Sequence, residues 1–142
     1  MSTAVDTSGQ ATLSALEKVI PFTDIFLYDI KAVSESVHER CTAVSNKRIL
    51  ENLKYLSERG CAVEVRIPYV PGYNSGEISA IADLLAEIKT LTKVRVLPYH
   101  SYASSKYSAL GMEHSLPESL PTEQELEAAR AILRSRGINV ME

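Results

Sequence analysis

Two hydrophobic periods alternate along the chain, and the alternation predicts its elements. Runs of period two read as strands: "TAVDT" (3–7), "DIFLYDI" (24–30), "AVEVRIPYV" (62–70) and "KVRVLPYH" (93–100). Helical stripes lie between them. "ATLSALEKVI" (11–20) brings Leu13, Leu16 and Ile20 to one side. "SNKRILENLKYLSERG" (45–60) does the same with Ile49, Leu53 and Leu56, and "EISAIADLLAEIKTL" (77–91) with Ile78, Ile81, Leu85 and Ile88. Ser45 or Asn46 can cap the middle helix, and Gly60 fits just past its end. A polar irregular run, 101–121, leads to a last helix that opens on a Thr122–Glu125 capping box and stops at Gly137. "INVME" adds a final extended segment. With no repeat or linker, residues 1–142 are expected to form a single domain. Strand–helix alternation with long crossovers implies a parallel sheet.

The polar residues fall where such a sheet would use them. Asp29 and Lys31 end the second strand, on the same face as Ile25 and Leu27. Glu64 and Arg66 share one face of the third, opposite Val63, Val65 and Ile67. In the fourth, Val94 and Val96 lead on one face to Pro98 and His100, and Asp6 ends the first. Parallel strands finish on one edge, so Asp6, Asp29, Lys31, Arg66 and His100 are expected to converge there. That edge is where α/β barrels and open α/β sheets bind ligands. A single charged residue at a strand end is commonly just solvated, but four strands ending alike point to a shared site. Glu64 with Arg66 reads as a structural pair, and Tyr28, Tyr69 and Tyr99 as core. His38 and His114 are expected to be exposed.

Composition narrows the function classes. The chain is 45% hydrophobic and 23% charged, with a formal charge of −3, and its 15 Lys and Arg are scattered, so no nucleic-acid footprint is expected. No run approaches the about 18 unbroken apolar residues of a membrane span. The opening "MSTAVDTSGQ" puts Met1 almost directly before a strand and lacks a signal-peptide pattern, so a cytoplasmic location is expected. Cys41 and Cys61, 20 residues apart, form no CxxC or Cys/His cluster and are expected to be buried thiols.

The motifs "DTSG", "LYDIK", "TAVSN", "VRIPYVPGYN" and "VLPYHSYASSKYSALG", in this order, resemble the glycyl-radical-enzyme activating enzymes of the radical SAM superfamily, the pyruvate formate-lyase activating type. The resemblance covers roughly residues 4–140. It implies an α/β fold, the C-terminal part of a partial (β/α) TIM-like barrel with about four parallel strands and helices on the outer face. It also implies two cofactors, S-adenosylmethionine and a [4Fe–4S] cluster held by a CxxxCxxC loop. Reductive cleavage of S-adenosylmethionine yields a 5′-deoxyadenosyl radical, which takes a hydrogen from a glycine of the protein substrate. That substrate is a glycyl-radical enzyme of the formate acetyltransferase kind, and a flavodoxin-type protein supplies the electron.

By the same resemblance, Asp29 and Lys31 match the family's D-x-K beside the methionine portion of the cofactor. Arg66 matches the arginine at its methionyl end, and His100 the "LPYH" histidine on the adenosine and substrate side. Asp6 and Thr7, with Asp29 and the Leu27 carbonyl, resemble a monovalent-cation site. Two features depart from the pattern. CxxxCxxC is absent, so the chain alone is expected to hold no cluster and to be inactive, and Ala43 replaces the glycine of "TGVSN". Such a part-barrel leaves the first strand as an open edge and uncovers Leu27, Val94 and Val96, so a homo-oligomer is expected. The alternative is a non-catalytic α/β binding module that keeps the fold only.

Overall fold

A computed structural model describes residues 4–7, 12–42, 45–71, 74–98 and 121–141. The elements run β1 (Ala4–Thr7), α1 (Leu13–Val19), a 3₁₀ turn (Ile20–Phe22), β2 (Ile25–Asp29), α2 (Glu35–Thr42) and α3 (Lys47–Glu58). They continue as β3 (Ala62–Tyr69), a 3₁₀ turn (Ser75–Glu77), α4 (Ile78–Ala86), β4 (Leu91–Pro98), α5 (Glu123–Ser135) and β5 (Val140–Met141). All four strand pairs are parallel, in the order β1-β2-β3-β4-β5. A strand order that follows the chain, with no reversal, is that of a barrel wall rather than of a doubly wound sheet. "INVME" thus supplies a fifth parallel strand.

One face of the sheet is buried. Phe26, Tyr28, Val63, Val65, Ile67 and Val94 are fully covered and join a core with Leu16, Leu53, Leu56, Ile81, Leu85 and Leu133 from the helices. Tyr28 donates its hydroxyl proton to the carbonyl of Ile49 at the start of α3, and burial pushes its pKa up. Tyr69 is buried as expected, while Tyr99 lies outside the described residues. No helix of the described residues is long and apolar enough to cross a membrane.

The helix ends follow the expected chemistry. Thr122 Oγ1 accepts from Glu125 N at 3.1 Å, and Gly60 and Gly137 take φ values of +76° and +79°, the left-handed conformation that closes a helix. Asn46 sits at the cap position of α3 but its side chain does not cap; Ser45 Oγ instead accepts from Lys47 N at 3.1 Å.

Several expectations need correction. Val94 and Val96 are 0% and 3% exposed, beneath the helices rather than on the open face. The charged open-face residues of β4 are Lys93 and Arg95, the register partners of Glu64 and Arg66. His38 is buried, at 2% exposure, on the unforeseen helix α2. Cys61 is a free thiol, half buried, and the Cys41 side chain lies outside the described residues, as do Ala43, His114 and the run 101–120.

Candidate functional site

The half-exposed face of the sheet is where the charges gather. Strand alternation sends Leu27, Asp29, Glu64, Arg66, Lys93 and Arg95 to it, and parallel register aligns them in rows. The lower row is Leu27–Glu64–Lys93, and the upper, nearer the C-terminal ends, is Asp29–Arg66–Arg95. Lys31 follows two residues beyond Asp29, in the loop into α2. Asp6 and Thr7 are the backbone register partners of Leu27 and Tyr28, which sets the end of β1 beside this face.

Pairing within the rows is specific. Arg66 Nε donates to Asp29 Oδ1 at 2.9 Å, with the side chains 22% and 28% exposed. Glu64 meets Lys93 Nζ at 3.3 Å, so it pairs with β4 and not, as its spacing suggested, with Arg66. The lower row is therefore neutral. The upper row sets two guanidiniums against one carboxylate. Arg95 turns an Nη toward the sulfur of Met141 at 3.4 Å, and its Nε is buried with no hydrogen-bond partner. Placing two like charges on neighbouring strands is unfavourable unless an anion balances them.

The loop that carries Lys31 is tied down through its backbone. Asn74, fully buried, donates from Nδ2 to the carbonyls of Lys31 (3.0 Å) and Pro68 and accepts from Val70 N on Oδ1 (2.7 Å). Asn46, 2% exposed, donates from Nδ2 to the carbonyls of Ala32 (3.0 Å) and Val33 (2.9 Å). Glu77 Oε1 accepts from Val33 N (2.9 Å) and Ser34 N (2.7 Å), the two amides just ahead of α2.

Of the residues singled out from sequence, the structure brings Asp29 and Arg66 into contact and puts Lys31 in the adjoining loop. The side chains of Asp6 and Thr7, and the whole of His100, lie outside the described residues. Lys93, Arg95, Asn74 and Glu77 carry no expectation from the sequence, and Asn46 is expected there only as a helix cap. A signal existed for two of them: "KVRV" repeats the polar–apolar phase of "EVRI" on the neighbouring strand. The asparagines stand in the quoted motifs "TAVSN" and "VPGYN", but nothing local reveals what they bind.

The chemistry of this face suits a small ligand bearing both signs of charge. Asp29 offers an acceptor to a cation, while the guanidiniums of Arg66 and Arg95 offer donors to a carboxylate. S-adenosylmethionine, with its amino and carboxylate groups and its sulfonium, fits that donor set. A [4Fe–4S] cluster does not fit this chain's own residues. It needs several thiolates, and the chain has two cysteines, with no group of three His, Cys, Asp or Glu among the described residues arranged to hold a metal ion.

Comparison with known proteins agrees with the fold and with the motifs. The chain is 37% identical over 135 residues to the isethionate sulfite-lyase activating enzyme of Oleidesulfovibrio alaskensis, covering 92% of this chain and 43% of that protein. It is 34% identical over 140 residues to the trans-4-hydroxy-L-proline dehydratase activating enzyme of Clostridioides difficile, covering 96% and 46%. With the pyruvate formate-lyase 1-activating enzyme of Escherichia coli K12 the identity is 30% over 144 residues, covering 98% and 58%. The chain thus spans about half the length of the curated relatives it matches. Its fold is similar to the crystal structure of a domain of pyruvate-formate lyase-activating enzyme from Bacteroides vulgatus, with a TM-score of 0.81 at 24% identity over 99% of this chain and 80% of that one. The family described as Radical SAM superfamily matches residues 1–85, and the chain belongs to that superfamily.

Proposed function

We propose that this chain is the cofactor- and substrate-facing part of an activating enzyme for a glycyl-radical enzyme. The observation that carries the reading is the Asp29–Arg66 pair at 2.9 Å, on the half-exposed face near the strand ends, with Lys31 two residues further on. Asp29 holds Arg66 by its Nε, which fixes the plane of the guanidinium proposed to meet a carboxylate of S-adenosylmethionine. Lys31 lines the methionine side, and His100 the adenosine side. Asp6 and Thr7, with Asp29 and the Leu27 carbonyl, are proposed as a monovalent-cation site. When bound and reduced, S-adenosylmethionine supplies a 5′-deoxyadenosyl radical; the chain's own part is to bind, orient and shield it. The protein partner is a glycyl-radical enzyme of the formate acetyltransferase kind, and the electron comes from a flavodoxin-type reductant.

Equilibrium dialysis of the purified chain against S-adenosylmethionine tests the reading. One equivalent should bind, and adenosine alone should compete weakly because it lacks the charged end. No saturable binding would favour the second reading, a non-catalytic module that keeps the fold only. The cysteine count supports a further expectation: the chain alone is inactive, and after anaerobic reconstitution with iron and sulfide it retains well under one equivalent of cluster. Four irons per chain would contradict that. Light scattering is expected to give a dimer or larger species, in line with the edge position of β1.

A further inference from the structure

The three polar side chains that hold residues 31–34 come from separate parts of the chain: Asn46 from the start of α3, Asn74 from the loop after β3, and Glu77 from the 3₁₀ turn before α4. Between them they engage the carbonyls of Lys31, Ala32 and Val33 and the amides of Val33 and Ser34. Five of the segment's eight backbone polar groups are therefore bonded from a distance, and the Ser34 carbonyl accepts from His38 N of α2 at 3.0 Å. Two of the three side chains are almost completely buried, where an unmatched amide group is costly, so the arrangement is over-determined. At the upstream end Ile30 N donates to the carbonyl of Arg66 at 3.0 Å, which fixes the segment to β3 as well.

We propose that Asn46, Asn74 and Glu77 are positioning residues that clamp this segment and so set Lys31 against the Asp29–Arg66 pair before any ligand arrives. The inference rests on the reading that this face binds S-adenosylmethionine. Asn74 is central because it bonds both the Lys31 carbonyl and the loop leaving β3, the strand that carries Arg66. Glu77 adds a carboxylate at the N-terminus of α2, a placement the helix dipole favours. Pre-organisation of this kind lowers the ordering cost of binding.

Glu77 is half-buried, so its replacement leaves the core intact and separates a local clamp from general stability. Amide hydrogen exchange of the unliganded chain is the first readout. E77A should raise exchange at Val33 and Ser34 by at least about tenfold while the Val65 amide, in the sheet, hardly changes. E77Q keeps an acceptor oxygen and should restore most of the protection. The second readout is affinity for S-adenosylmethionine, expected to weaken about tenfold in E77A and N46A and to recover in E77Q. Unchanged exchange in E77A would overturn the clamp. Lost protection with unchanged affinity would overturn the positioning role. Should the unmodified chain bind no S-adenosylmethionine, the cofactor reading fails for this chain, while the exchange result still decides whether the clamp exists.

Discussion

Replacing Arg66 with alanine is expected to weaken S-adenosylmethionine binding by roughly 30- to 150-fold, about 2–3 kcal/mol, while the chain stays folded. The two effects separate because of where the pair sits. Asp29 is 28% exposed, so after the substitution its carboxylate keeps water as a partner, and stability falls by only about 1 kcal/mol. The ligand loses a donor that water cannot replace in the same geometry. Arg66→Lys tests this point, since lysine keeps the charge but not the Nε–H that Asp29 accepts, nor the planar fork that suits a carboxylate. It should recover only part of the affinity. Isothermal titration of the three proteins, with thermal midpoints measured alongside, checks both halves; equal affinity across them would remove Arg66 from the site.

The largest expected effect on stability belongs to Asn74→Ala. The side chain is fully buried and makes three hydrogen bonds, so truncation strands the Val70 amide and the Lys31 and Pro68 carbonyls. Leaving buried backbone groups unmatched costs on the order of 1–3 kcal/mol each, and partial relaxation brings the total to about 3–5 kcal/mol. For a domain of this size that lowers the melting midpoint by roughly 10 °C. Asn74→Asp should be no better, because it swaps an amide that donates to two carbonyls for an oxygen that repels them. Differential scanning calorimetry distinguishes these from a surface position such as Glu87→Gln, which should shift the midpoint by less than about 2 °C.

These two residues show what was legible in the sequence and what was not. Arg66 was readable because strand alternation is a local rule: "VEVRI" puts Glu64 and Arg66 on one side whatever the rest of the chain does. The parallel α/β architecture followed from the same local periods. The same rule misleads at β4, where the phase of Val94 and Val96 points toward Pro98 and His100 and the site. Phase alone does not say which face the helices cover, and the register with β3 puts Lys93 and Arg95 on the open side instead. Helix α2 escaped because "ESVHERCT" has almost no apolar stripe; what it buries there is His38. Asn46 looked like a helix cap, and it occupies that position, yet its amide is spent on a loop 13 and 14 residues upstream. Contacts of that range leave no periodic trace. Lys31 could be named from its motif, but the clamp around it could be seen only once the three loops were folded together.

On the proposed function, the open face around Asp29, Lys31 and Arg66 binds S-adenosylmethionine. The most direct measurement is an NMR titration of the isotopically labelled chain with that cofactor. Saturable shifts are expected, centred on Asp29, Lys31 and the Nε–H of Arg66, spreading to the Val33 and Ser34 amides, and absent in Arg66→Ala at the same concentration. Shifts confined to the helix-covered side, or no saturable change at millimolar cofactor, would contradict it.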